Sequence, residues 1–277
     1  MSAENTTRTR TRSFLSAEWR YLAMLNYPID KETLRPFTPR GTELDLWQGE
    51  AFVSLVGFLF LDTRVMGVPL PFHRNFEEIN LRFYVRHKSQ NEWRRGVVFI
   101  KEFVQKRAIA VLARALYNEN YVLASMAHSI DAEDGFLRPG GKVEYTWNVR
   151  GADARLAVTT AGEARTLTPN SHEEFIADHY WGYARQRDGG TKEYRVDHPS
   201  WKIWPSKNAA FEGDVKTLYG EPFVEALSAS PKSAFVADGS EITVRRGLKL
   251  IERVARQEAS LAPITETERN AQYKGSH

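Results

Sequence analysis

The stretch Phe76-Glu77-Glu78-Ile79-Asn80-Leu81-Arg82-Phe83-Tyr84-Val85 sets chemically useful side chains at every second position. Strict alternation is the period of a β-strand. It puts Ile79, Leu81, Phe83 and Val85 on one face and Glu78, Asn80, Arg82 and Tyr84 on the other. A carboxylate such as Glu78 can orient a substrate, steady a developing cation or shuttle a proton. A guanidinium can grip a carboxylate through two parallel N–H donors. In an open antiparallel sheet the same polar face is simply wetted, with Glu78 partnering Arg82; in a sheet closed into a small barrel it lines a cavity. Lys106-Arg107 follows one strand later as two adjacent cations. Arg20 lies in an otherwise apolar stretch, so it needs a partner: Glu18, Glu78 or the carboxylate of a ligand.

A rival chemistry is metal binding. His172 and His179 fall seven apart on a capped helical pattern, and Asp197 or His198 could complete a ligand set. The spacing matches no recurring ligand motif, and aromatic packing around His179-Tyr180-Trp181 and Trp201–Trp204 explains the same residues, so no metal is expected. There is no Gly-rich phosphate loop and no nucleophile elbow. No cofactor is implied.

The elements that must position these residues are mostly strands. Trp19–Tyr27 is apolar on both faces and belongs in the middle of a sheet. Asp30 caps a short helix over Lys31–Arg35 that ends before Pro36. Leu44–Trp47, Ala51–Leu61, Ile79–His87 and Gly96–Val104 read as an antiparallel meander. From Gln105 to Asn118 the spacing of Ile109, Leu112, Ala113 and Leu116 predicts a helix, with Lys106 and Arg107 in its first turn. Lys142–Arg150, Leu156–Thr159, Lys192–Val196, Trp201–Trp204 and Ile242–Val244 read as further strands. Ser171 and Glu174 form a capping box opening a helix towards Tyr183. The expected architecture is one mainly β (α+β) domain over residues 13–250, with a weak boundary signal near Gly135–Gly141. Met1–Arg12 reads as a disordered tail and residues 251–277 as a polar helix or tail.

With 277 residues, 42% of them hydrophobic, the chain can bury a sizeable core. It has no cysteine, which excludes disulfides, thiolate metal sites and a cysteine nucleophile and is compatible with a reducing cytoplasm. No apolar run has the length of a membrane span, and the N-terminus has no apolar core of a secretory signal. The formal net charge is +3, with acidic and basic residues interspersed, so neither nucleic acid nor membrane is the expected partner.

Several segments resemble the YqjF-like family, uncharacterised proteins built on a domain of unknown function. They are Phe14–Arg20, Leu55–Phe58, Val68–Arg82 and Glu174–Trp181. That family is in turn similar to the acetoacetate decarboxylase-like superfamily, which implies a cone-shaped antiparallel β-barrel around a small-molecule cavity. In the decarboxylase pattern an aromatic, one further residue and a glutamate match Phe76-Glu77-Glu78. The Schiff-base lysine opens a Pro-Lys-Lys-aliphatic string. Gln105-Lys106-Arg107-Ala108-Ile109-Ala110 stands there, with Gln105 replacing the proline and Arg107 the second lysine. Arg20 precedes Tyr27, Asp30, Leu34 and Pro39 at the spacing of the enzyme's active-site arginine. The resemblance therefore implies Lys106 and Glu78 as catalytic groups and Arg20 as a group binding the substrate; the alternation of the strand adds Asn80, Arg82 and Tyr84 as groups facing the substrate. The implied activity is that of a lyase of decarboxylase, aldolase or dehydratase type acting on a small carbonyl or carboxylate compound. The alternative is a non-catalytic binding or structural module on the same fold, with a homo-oligomer through exposed helices also allowed. A lysine nucleophile must be neutral often enough to attack a carbonyl, and an adjacent cation such as Arg107 lowers its pKa only where water is excluded.

Overall fold

The computed structural model describes residues 13–69, 73–90, 92–105 and 120–250. Met1–Arg12, the helical pattern containing Lys106 and Arg107, and the chain beyond Leu250 lie outside the described residues.

Four long strands carry the first half: β1 (Ser13–Ile29), β2 (Ala51–Val65), β3 (Phe76–Ser89) and β4 (Glu92–Val104), each antiparallel to its neighbour in that order. A short helix, α1 (Lys31–Leu34), links β1 towards β2; the Asp30 carboxylate accepts the Glu32 N–H at its start. Then come β5 (Ser125–Ile130), β6 (Lys142–Val149) and β7 (Ala152–Thr160). After α2 (His172–Ala177) follow β8 (Trp181–Arg185), β9 (Thr191–Asp197), β10 (Lys202–Gly213) and β11 (Ser233–Arg245).

The pairing path runs β9-β8-β4-β3-β2-β1-β11, and β11 pairs back onto β9 at Val196↔Val244 and Asp197↔Thr243. The sheet is therefore ring-like. It is not antiparallel throughout, as the sequence suggests: β8 lies parallel to β4, Trp181 opposite Gly96 and Gly182 opposite Val97. Beyond β11 the sheet continues as β10, β7, β6 and β5.

This arrangement gives two apolar cores on opposite sides of the same strands. Leu15, Leu22, Met24, Val56, Phe58, Phe60, Val97, Val196 and Val244 pack inside the ring. Leu25, Leu55, Ile79, Leu81, Phe83, Ile100 and Phe103 pack outside it, against Tyr145, Trp147 and Leu156 of β6 and β7. Strands β1 to β3 are thus covered on both faces, which is why their sequences run almost continuously apolar. No helix among the described residues is long and apolar enough to cross a membrane.

Half of the expected capping box forms at α2: the Ser171 hydroxyl accepts the Glu174 N–H, but the Glu174 carboxylate accepts the N–H of Asn170 and not that of Ser171, which goes to the Thr168 carbonyl. The helix stops at Ala177, however, rather than running towards Tyr183. Asp178 leaves helical geometry at ψ 72°, and three residues later the chain is committed to pairing with both β4 and β9. Ladder hydrogen bonds on two sides outweigh the helical preference of a short polar turn.

Candidate functional site

Inside the ring lies a cavity of about 50 Å³ whose apolar wall includes Trp19, Val56, Phe58, Phe99, Trp181 and Tyr194. Into it project Glu78, Asn80 and Arg82 of β3, Glu102 of β4 and His179 of the α2–β8 turn. All five are buried. About one probe sphere, 10–15 Å³, is needed per water, so the space takes a few waters or one ligand of about half a dozen non-hydrogen atoms.

Alternation explains the three residues of β3. Their cross-strand neighbours on β2 are Phe58 for Glu78, Val56 for Asn80 and Ser54 for Arg82. Glu78 Oε1 accepts from Asn80 Nδ2 at 3.0 Å, which fixes the amide. Arg82 donates to the Ile176 carbonyl at 3.1 Å and touches the Met24 sulfur, while its Nε–H has no hydrogen-bond partner among the described residues.

Glu102 comes from a bulge. Leu81 pairs with Lys101 but Arg82 pairs with Phe99, so β4 carries one extra residue there and its facing parity shifts. Val97 and Phe99 face the cavity before the bulge and Glu102 after it; Lys101 points the other way, its ammonium donating to the Leu218 carbonyl at 2.6 Å. Glu102 stands directly opposite Asn80 across the strands.

His179 is held by ring contacts, 4.7 Å between centroids to Tyr84 and 5.9 Å to Phe175. Burial, with Arg95 and Arg82 nearby, pushes its imidazole well below the ordinary value. Tyr84 is not in the cavity wall; its hydroxyl is bound to Ser54, which donates to Asn26, which donates in turn to Ser233 beside His172. Tyr84 therefore backs the site.

Arg20 does not reach this cavity. Its guanidinium pairs with Glu18 at 2.8 Å and its side chain is 38% exposed. A bulge is again the cause: Arg20 pairs with Leu59 and Ala23 with Gly57, one residue extra on β1, with Tyr21 at φ 55°. Trp19 and Leu22 face inward and Arg20 turns out. Lys106 lies outside the described residues, which end this stretch at Gln105; there the amide donates to Glu77 at 2.8 Å, and Val104 pairs with Glu78.

The histidines and Asp197 named as metal candidates form no ligand cluster. Asp197 binds Arg195 and Arg245; His198 sits on the Pro199 and His179 carbonyls. No three His, Asp or Glu side chains among the described residues converge on a common point.

Burying several ionisable groups in an apolar wall costs several kcal/mol per ion, which makes the cavity the candidate functional site rather than a stabilising device. Two expectations follow from its walls. Gly182 and Tyr194 both line it, and a Cβ on Gly182 would fall 2.1 Å from the Tyr194 ring. Gly182→Ala should push that ring aside, costing about 1–3 kcal/mol by urea unfolding; an unchanged midpoint would contradict the packing. The second concerns acid. His172, His179 and His198 all have folded pKa values lowered from 6.5, with burial as the leading cause. Near and below pH 6.5 the unfolded chain takes up protons that the folded chain refuses. Stability should therefore be full above that pH and fall as pH drops below it, by about 1.4 kcal/mol per pH unit for each histidine until its folded pKa is reached. Urea midpoints at pH 7.5 and 5.5 test this.

The sequence matches the family model of the uncharacterized conserved protein family DUF2071 over residues 16–241. The chain belongs to the DUF2071 family. Among curated proteins the DUF2071 chain is similar to the uncharacterized protein YqjF of Bacillus subtilis, 26% identical over 204 residues, covering 72% of this chain and 78% of that one. The ring-like fold is similar to an acetoacetate decarboxylase-like enzyme from Sphingomonas wittichii RW1, with 14% identity, a TM-score of 0.61 and coverage of 90% of this chain and 100% of the other. It is also similar to the enduracididine biosynthesis enzyme MppR complexed with pyruvate, with 14% identity, a TM-score of 0.58 and coverage of 88% and 93%. At these identities the likeness to both structures is one of fold.

Proposed function

We propose that this DUF2071 protein holds a small carbonyl or carboxylate compound inside the ring, which acts as a closed barrel of the decarboxylase type, and that it works on that compound as a Schiff-base lyase. The observation that carries the reading is the buried set Glu78, Asn80, Arg82 and Glu102, beside His179, in an otherwise apolar cavity of about 50 Å³. That volume suits a three- or four-carbon acid. A structural neighbour is described with pyruvate, which is consistent in size and charge.

In this reading the Arg82 Nε–H, without a partner among the described residues, binds the ligand carboxylate in the role expected of Arg20. Asn80 and Glu78 orient the carbonyl end. Lys106 supplies the nucleophile: its Nζ forms a bond to the carbonyl carbon, water leaves, and a protonated imine remains. From a 3-oxo acid the C–C electron pair then moves to the imine nitrogen as CO₂ departs, and the enamine is reprotonated and hydrolysed. Lys106 is supported by the pairing of Val104 with Glu78 just before it in sequence, and by Glu102 on the same strand facing the ligand space.

Incubation with pyruvate or acetoacetate followed by borohydride should leave one adduct on the peptide containing Lys106. Absence of any adduct, with both compounds still raising the melting temperature, would favour a second reading, a binding module without imine chemistry. The outward position of Arg20 is the observation on that side, since it departs from the enzyme pattern.

A further inference from the structure

His179 is a polar group of the cavity to which the imine reading gives no role. Neither ring nitrogen makes a hydrogen bond of good geometry among the described residues, and the residue is 7% exposed. Its place is nonetheless built. Tyr84 and Phe175 pack against the ring, the Ile176 carbonyl lies near enough to draw on its proton, and the residue's own carbonyl accepts from His198 Nε2 at 3.2 Å. A buried imidazole in a cavity wall with no well-formed hydrogen bond on either nitrogen has room for a partner that arrives with the ligand.

We propose that His179 is the base of this site: its neutral imidazole removes a proton from the carbon next to the carbonyl carbon of the bound compound. The step rests on the imine reading above. The C–H bond breaks, the proton goes to an imidazole nitrogen, and the C–H electron pair forms the C=C bond of an enamine as the C=N pair moves onto nitrogen. No oxidant or reductant is needed. Return of the proton restores the imine; capture of the enamine by an aldehyde carbon would form a new C–C bond. The substrate class is thus a small 2-oxo acid or ketone with an enolisable C–H, activated as a carbon nucleophile, and decarboxylation is not required.

The surroundings suit this use. Facing the imidazole are Arg82 of β3, Arg95 of β4 and His198 after β9, while Glu78 and Glu102 share the cavity with it. The cations and burial hold the ring in its base form well below pH 6.5 and make its protonated form a ready donor back to carbon. Glu78 is already engaged by Asn80, and the Tyr84 hydroxyl by Ser54. In a space this small a ligand of half a dozen non-hydrogen atoms meets every wall, so its reactive carbon comes within reach of the ring.

The test is deuterium exchange into the methyl group of pyruvate, followed by proton NMR in D₂O, with borohydride trapping run in parallel. The wild type should exchange and trap. His179→Gln should lose at least about 100-fold in exchange per trapped adduct, the scale of a positioned base, while an adduct is still reduced onto Lys106. Exchange persisting in His179→Gln, or trapping without exchange in the wild type, overturns the proposal and leaves the imine reading standing. Neither trapping nor exchange in the wild type overturns both. Should His179→Gln not fold by circular dichroism, Glu78→Gln and Glu102→Gln decide. A 100-fold loss per adduct in either makes a carboxylate the base and overturns the proposal; smaller losses in both support it.

Discussion

Lys106→Ala leaves no borohydride-stable adduct after incubation with pyruvate or acetoacetate, whereas the wild-type chain carries one. The expectation follows from how charges in the cavity act on an amine. A unit charge about 6 Å away contributes roughly 3 kcal/mol at an effective dielectric of 20, or about two pKa units. In the reading proposed above, Glu78 and Glu102 raise the pKa of an amine brought into the cavity and Arg82 lowers it, and desolvation by the wall of Trp19, Phe58, Phe99 and Tyr194 works against the carboxylates and favours the neutral nucleophile. Lys106→Arg should fail in the same way, because a guanidinium stays protonated. An adduct on Lys101 would contradict the assignment outright. The Lys101 amine has a pKa lowered by burial, but it faces away from the cavity and donates to the Leu218 carbonyl. Peptide mass after reduction separates the two lysines.

Much of this site was legible in the sequence because one strand obeys a strict period of two. Glu78, Asn80 and Arg82 face the cavity just as their alternation requires, and Tyr84 fails only in depth, turning its hydroxyl to Ser54. The apolar run of β1 likewise marked a strand covered on both sides. What alternation cannot announce is where a strand gains a residue. On β1 the extra residue at Tyr21 turns Arg20 outward, and on β4 the one beside Ile100–Lys101 turns Glu102 inward. Each bulge is fixed by the partner strand's register, which is a tertiary fact. Continued without a break, the alternation of Val97 and Phe99 would have put Lys101 in the cavity. His179 was visible only as an aromatic neighbour or a metal candidate. Its role depends on α2 ending at Ala177 so that the turn, rather than a helix face, presents the ring.

Gly239→Ala should be among the most damaging single-methyl additions to the chain, and the reason lies at the same bulge that turns Arg20 outward. Gly239 pairs with Arg20, sits at φ 81°, and a Cβ there would lie 1.9 Å from the Trp19 carbonyl oxygen. No rotamer relieves a clash with backbone, so β11 must move away from β1. The movement strikes the ring beside Trp19, whose indole lines the cavity and packs edge-on against Phe58, Phe60 and Trp201. Positive φ alone costs an alanine about 1–2 kcal/mol, and loss of ladder bonds and packing brings the expected total to at least about 4 kcal/mol. Gly151 separates the two contributions: it has φ 90° and nothing within 4 Å of a Cβ, so Gly151→Ala should show the conformational cost only. Urea unfolding of both variants makes the comparison. A Gly239→Ala loss no larger than that of Gly151→Ala would mean that β1 and β11 separate freely at this point, and the cavity wall at Trp19 would then have to be built by side-chain packing alone.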